Sequence, residues 1–176
     1  MNAEFEPLSR AGDLLYLVYL TAQGLKPLSR WEMDLANEQR VAIERFGLHV
    51  STLTRSTEWG RLVSHTIFSR RRSLLQRHMS ALDGTAISND DQTVRREGLD
   101  FGYPAYCVDA FIEKGYQNNG LAAEVQALLF HWACLDCEQT QSLLPDYRRI
   151  IERVCALRTA LQLVLGGNLR FKRRSS

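Results

Sequence analysis

Apolar residues recur at helical spacing from Leu8 to Gln23, where Leu14, Leu15, Leu17, Val18 and Leu20 form a wide apolar face and Gly24 stands where a helix can stop. Beyond Pro27 the pattern returns from Ser29 to Phe46, with Trp31, Leu35, Val41, Ile43 and Phe46 near spacings of three and four. Ser29 followed by Glu32 has the form of a capping box, and Gly47 closes this second helix. The character then changes. Leu48 to Leu53 and Arg61 to Phe68 are short and partly β-branched, and Val63, His65 and Ile67 fall on one face of the second. Two short strands joined by a polar loop are expected, and a hairpin of that size must pack on helices to persist. Residues Arg70 to Leu82 resume a helical pattern with a basic outer face. Asp83 to Gln92 is polar and aperiodic, the clearest loop in the chain. Arg95 to Gly115 follows as approach, turn and helix, then a strongly apolar helix over Leu121 to Ala133. A last helix runs from Thr140 to Gly166, with Pro145 either inside its first turns or marking a fresh start. There is no internal repeat. The expected fold class is mainly α (α+β): a helical domain with a small two-stranded β element.

Length and composition add bounds. A chain of 176 residues with 45% hydrophobic and 24% charged residues is expected to fold as a single domain, residues 1–176. Within it a possible hinge spans 83–94, a motif-bearing half 95–166 and a basic tail 167–176. No basic start followed by an apolar core opens the chain, and no apolar run approaches the ~20 residues of a membrane helix. A cytoplasmic location without membrane attachment is therefore expected, where thiols stay reduced and serve as ligands, nucleophiles or core rather than disulfides. The net charge of +2 is near neutral, but basic residues cluster at Arg70, Arg71 and Arg72, then Arg77 and His78, and again at Arg170, Lys172, Arg173 and Arg174. Each run reads as a solvated surface, or as a patch for phosphate or nucleic acid. Apolar residues between Val154 and Leu165 offer a face for a homodimer, although Arg158 and Gln162 interrupt it.

Two segments carry chemistry. In Phe101-Gly102-Tyr103-Pro104-Ala105-Tyr106-Cys107, Gly102 permits a turn and Pro104 suits the first position of a helix. Cys107 then lies in the first turn, where the helix dipole favours the thiolate, the form that attacks and ligates. In His131-Trp132-Ala133-Cys134-Leu135-Asp136-Cys137, a histidine and two cysteines stand three apart, so two side chains can converge on one ion across a helix turn or a tight loop. Cys107, His131, Cys134 and Cys137 together make a tetrahedral zinc set, and the same thiolates suit iron or an iron–sulfur cluster. Tyr103, Tyr106, Asp109 and Asp136 are candidates to support the site, orient a substrate or move protons. Cys155 falls on an apolar stripe with Ile150, Ile151, Val154 and Leu157 and is read as core. His49 and His65, on the two expected strands, face each other in one reading and are plain strand residues in the other. There is no glycine-rich phosphate loop, nucleophile elbow or His-Glu-x-x-His motif, and Glu38, Glu44 and Glu58 have no paired spacing.

The run Phe-Gly-Tyr-Pro-x-x-Cys-Val-x-x-Phe followed by His-x-x-Cys-x-x-Cys resembles an uncharacterised prokaryotic family with a Gly-Tyr-Pro-x-Cys-Cys motif and a later histidine with paired cysteines. The likeness covers roughly residues 95 to 150. Tyr106 stands where that pattern has its first cysteine, so only Cys107 carries over from the pair, against any reading that needs two adjacent thiols there. The resemblance implies a shared site and supplies no reaction. Three functions are compatible with the residues: a metal-binding protein whose ion is structural or catalytic; a thiol-redox enzyme or sensor using Cys134 and Cys137, with Cys107 as a reactive thiol; and a metal-stabilised binder of nucleic acid or a phospholigand. The partner is a small molecule or protein that the sequence does not name.

Overall fold

The structure, a computed structural model, describes residues 6–9 and 11–172, with side chains described as far as residue 160. Among these residues the chain forms α1 (Glu6–Ser9), α2 (Gly12–Ala22), β1 (Ser29–Trp31), α3 (Asn37–Arg45), β2 (His49–Ser56), β3 (Leu62–Ser69), α4 (Arg72–Leu82), α5 (Asp91–Asp100), α6 (Ala105–Lys114), α7 (Ala123–Gln126) and α8 (Glu138–Lys172). No described helix is long and apolar enough to cross a membrane.

The sheet organises the molecule. Its order is β1-β3-β2, antiparallel throughout. Because alternate residues point to opposite faces, Phe68 and Val50 join one apolar cluster, with α2, α8 and α3, while Ile67 and Leu53 join another, with Leu74, Leu75 and Leu82 of α4 and Phe101. Helix α2 is apolar almost all round: Leu14 through Leu20 are buried without exception. A helix of that composition has to sit at the centre of a fold rather than on its surface, and α2 is enclosed by α1, the sheet and α8.

Several expectations change. The sheet has three strands, not two: Ser29–Trp31 pairs with Phe68–Thr66 as β1. A strand of three residues is too short to show alternation, and its Trp31 happens to stand four residues before Leu35. The helix expected from Ser29 therefore starts only at Asn37, and its box is formed by Gln39, whose Oε1 accepts from the Ala36 N–H at 3.0 Å, rather than by Ser29 and Glu32. The apolar stretch Leu121 to Ala133 is helical only over Ala123–Gln126. Beyond it, side-chain amides satisfy the backbone: Gln126 Nε2 donates to His131 O at 2.8 Å, and Asn119 Nδ2 to Ala133 O at 3.1 Å and to Gln126 Oε1 at 2.7 Å. Leu129 and Ala133 still enter the core, so their apolar character reflects burial, not helix. Pro145 lies inside α8.

The loop after α4 lies along the edge of β2. Gly84 N–H donates to Thr54 O at 2.8 Å, Ser56 N–H to Thr85 O at 3.0 Å and Ile87 N–H to Ser56 O at 2.7 Å. Asp90 caps α5 through the Thr93 N–H. Helices α5 and α6 then pack closely, because Gly98 leaves room that a Cβ would take from Val108 Cγ2, 2.7 Å away.

Candidate metal centre

Two segments deliver three sulfurs to one place. The first is the start of α6. After α5, Gly102 turns with φ 79°; a Cβ there would lie 2.4 Å from Pro27 Cδ, so both the conformation and the close approach require glycine. Pro104 caps α6 and Cys107 is its third residue, buried. The second carries Cys134 and Cys137, at the two ends of a turn in which Asp136 takes φ 54°, a left-handed conformation that aspartate tolerates better than most residues. Cys137 caps α8: its carbonyl accepts from Gln141 N–H and its Sγ accepts from Thr140 N–H at 3.4 Å. Two helix N-termini, with their partial positive charge, thus point into the cluster.

The sulfurs are in contact. Cys107 Sγ lies 3.3 Å from Cys134 Sγ and 3.3 Å from Cys137 Sγ, and all three sulfurs fall within 4.8 Å of one another. The Cys134 N–H also donates to Cys107 Sγ at 3.3 Å. Burial, followed by the hydrogen bond and charge of Cys107, pushes the Cys134 thiol up to about 12. Burial acts the same way on Cys137, but the hydroxyl and N–H of Thr140 and the two neighbouring thiols outweigh it and bring that thiol below its ordinary value.

His131, the fourth residue of the expected set, sits beside the cluster. Its Nε2 is 3.0 Å from Thr140 Oγ1, and Thr140 Oγ1 is 3.6 Å from Cys107 Sγ. The histidine thus reaches the sulfurs through a buried threonine. Burial, assisted by the charge of Lys26, lowers His131 to about 4, so the ring is neutral near pH 7, the form that ligates. Tyr103 stacks on it at 5.4 Å between centroids.

The other candidates are placed as follows. Tyr106 is at the surface, on the rim of a 390 Å³ cavity that also reaches Cys107 and Cys134. Asp109 forms an ion pair with Arg95 of α5, and Asp136 is exposed in its turn. Cys155 is exposed and not core, because the stripe that enters the core through Ile150 and Val154 leaves it on the outer side. His49 and His65 do not face each other: His49 pairs with Ser69 and His65 with Leu53. Arg70, Arg71 and Arg72 are exposed, whereas His78 is buried, with Nδ1 2.9 Å from Asp100 Oδ2. Arg173 and Arg174, and the side chains of Arg170, Lys172 and the last turns of the apolar helix, lie outside the described residues.

Some positions around the cluster carry no sequence signal of their own. Thr140 stands three residues after Cys137, where a helix-capping cysteine would meet an N–H. Lys26 is 3% exposed. Its Nζ donates to Phe101 O at 3.1 Å and lies 4.8 Å from the centroid of Tyr103, 5.4 Å from Phe130 and 5.9 Å from Phe101. Arg55 is also 3% exposed, held by Glu97 and by Ala86 O. No family model, curated protein or solved structure matches this chain.

The donor set fits a thiophilic cation. Sulfurs about 2.3 Å from a tetrahedral zinc stand about 3.8 Å apart, so an ion would open the two 3.3 Å contacts by roughly half an ångström. Binding would displace the thiol protons that now hold the cluster together.

Proposed function

We propose that Cys107, Cys134 and Cys137 bind one thiophilic metal ion, zinc in the first place and ferrous iron in the second, with a fourth position left to His131 or to an exchangeable ligand. The observation that carries this reading is the meeting of three sulfurs from two separate segments within 4.8 Å. Three protein ligands with a fourth, replaceable one is the pattern of catalytic zinc, whereas structural zinc is closed by four. The bond from His131 Nε2 to Thr140 favours the open form: the imidazole is already engaged and would have to turn to close the shell. An ion held there would supply Lewis acidity and an activated water. Thr140 and His131 would orient the ligand in that position, and the two helix ends would offset the thiolate charge. Metal analysis of protein purified without chelator should find about one zinc per chain, and X-ray absorption a shell of three sulfurs and one lighter atom. Reduced protein that retains neither zinc nor ferrous iron would overturn the proposal.

A thiol-redox role is the second reading, favoured by the 3.3 Å contacts of Cys107 with both other sulfurs. Closing either contact would form one S–S bond and pass two electrons and two protons to an external disulfide oxidant, which leaves as two thiols. Metal-free protein that exchanges two thiols reversibly with glutathione disulfide supports it; thiols unchanged by such treatment exclude it.

A further inference from the structure

Beside the thiol cluster lies a second feature that the metal does not explain, a cavity of about 520 Å³ that Cys107 and His131 border. Its size suits a small organic ligand. One wall is the face of the sheet that carries Arg30, Arg55 and His65, residues that share a face with Val63 and Ile67 by register. Another is aromatic, with Phe111, Tyr116 and Trp132, in which Tyr116 meets Trp132 edge to face at 5.3 Å and Phe111 at 5.0 Å.

The polar wall is incompletely satisfied. Arg30 and Arg55 both lean on the single carboxylate of Glu97. The other partner of Arg30, Glu32 at 2.9 Å, is a rim residue whose side chain is 61% exposed. Arg55 Nε and His65 Nδ1 are buried without a hydrogen-bond partner. Buried donors and acceptors are nearly always paired, and exceptions ask for an explanation. Burial lowers His65, so its ring is neutral near pH 7, which leaves the two guanidinium groups as the cations of this wall. A planar carboxylate is the complement of a guanidinium fork, and one arriving at Arg30 need displace only the exposed Glu32.

We propose that this cavity binds a small aryl carboxylate, with its acid group on Arg30 and its ring against Phe111, Tyr116 and Trp132. The site is built by its own walls and does not require an ion. Calorimetry on the full chain, metal-free and zinc-treated, tests it with phenylacetate, 3-phenylpropionate and naphthalene-2-acetate, and with naphthalene-2-acetamide as the neutral isostere. Saturable 1:1 binding of at least one acid is expected. Loss of one charge-assisted hydrogen bond should weaken the amide about tenfold relative to naphthalene-2-acetate. Arg30→Met should remove that preference. Ile87→Trp, a substitution at a 40% exposed wall residue, should fill the mouth and abolish binding while circular dichroism is unchanged. Absence of saturable binding of all three acids, equal affinity for acid and amide, or full binding by Ile87→Trp overturns the inference. Acid binding by protein that takes up no metal supports it and refutes the metal proposal alone; zinc uptake without acid binding does the reverse.

Discussion

Lysine 26 supplies a test of the interior that needs no knowledge of the reaction. Its ammonium is enclosed, and burial, with the nearby charge of Arg30, lowers it from its ordinary 10.5 to about 7. Each pH unit is worth about 1.4 kcal/mol, so the folded state disfavours the cation by roughly 5 kcal/mol. Three ring faces and the Phe101 carbonyl work the other way; a buried cation–π contact returns about 1–2 kcal/mol, which leaves roughly 3–4 kcal/mol. The direction of the pH effect follows from proton counting. Between about pH 7 and 10.5 the unfolded chain holds the proton and the folded chain does not, so this lysine makes stability rise with pH across that window. Below about pH 7 both states are protonated and the penalty is complete. Urea unfolding of reduced, metal-free protein between about pH 6.5 and 10, for the wild type and Lys26→Met, isolates the contribution, because the cysteines and tyrosines titrate in both. The wild type should gain roughly 3–4 kcal/mol on the variant from the bottom to the top of the range. Parallel profiles would mean that the rings keep the ammonium charged at its ordinary pKa, and would refute the reasoning.

Other substitutions test the neighbouring contacts. Thr140→Val keeps shape but leaves the buried His131 Nε2 without its 3.0 Å partner; unfolding in urea should show a loss of about 1–3 kcal/mol, and a change below about 0.5 kcal/mol would remove Thr140 from the account. Asp136→Val places a β-branched residue at φ 54° and should cost about 1–2 kcal/mol, while Asp136→Gly should be neutral or better by thermal melting. Gly102→Ala meets Pro27 Cδ at 2.4 Å with φ 79° and should lower stability by more than about 1 kcal/mol; a variant that melts with the wild type would show that the turn before Cys107 is not fixed by this contact.

How much of this was legible in the chain depends on how local each signal is. The meeting of Cys107 with Cys134 and Cys137 was readable from ligand spacing, because a thiol at a helix start and a Cys-x-x-Cys turn can converge on one ion. The positions of α2, β3 and α6 were readable from periodicity and from Gly24 and Pro104, and Gly47 marked the end of α3. What the pattern hid was the source of apolarity: Leu129 and Ala133 are apolar because they are buried, and Gln126 and Asn119 satisfy backbone carbonyls 5 and 14 residues further on in place of helical hydrogen bonds. Strand β1 was hidden by its length. Lys26 and Arg55 resemble surface residues in the sequence, and only the tertiary packing of Phe101, Tyr103 and Glu97 encloses them. Cys155 shows the opposite error: an apolar stripe can border the core without entering it.

The central claim, that three particular thiols make one site, is tested most directly by titrating reduced protein with cobalt(II) and following thiolate-to-cobalt charge-transfer absorption in the wild type and in each single Cys→Ser variant. A saturating band that is lost in Cys107→Ser, Cys134→Ser and Cys137→Ser and retained in Cys155→Ser is the predicted result. A band that survives replacement of Cys107, or one that never forms although all four thiols are free and the chain is folded, would contradict the account.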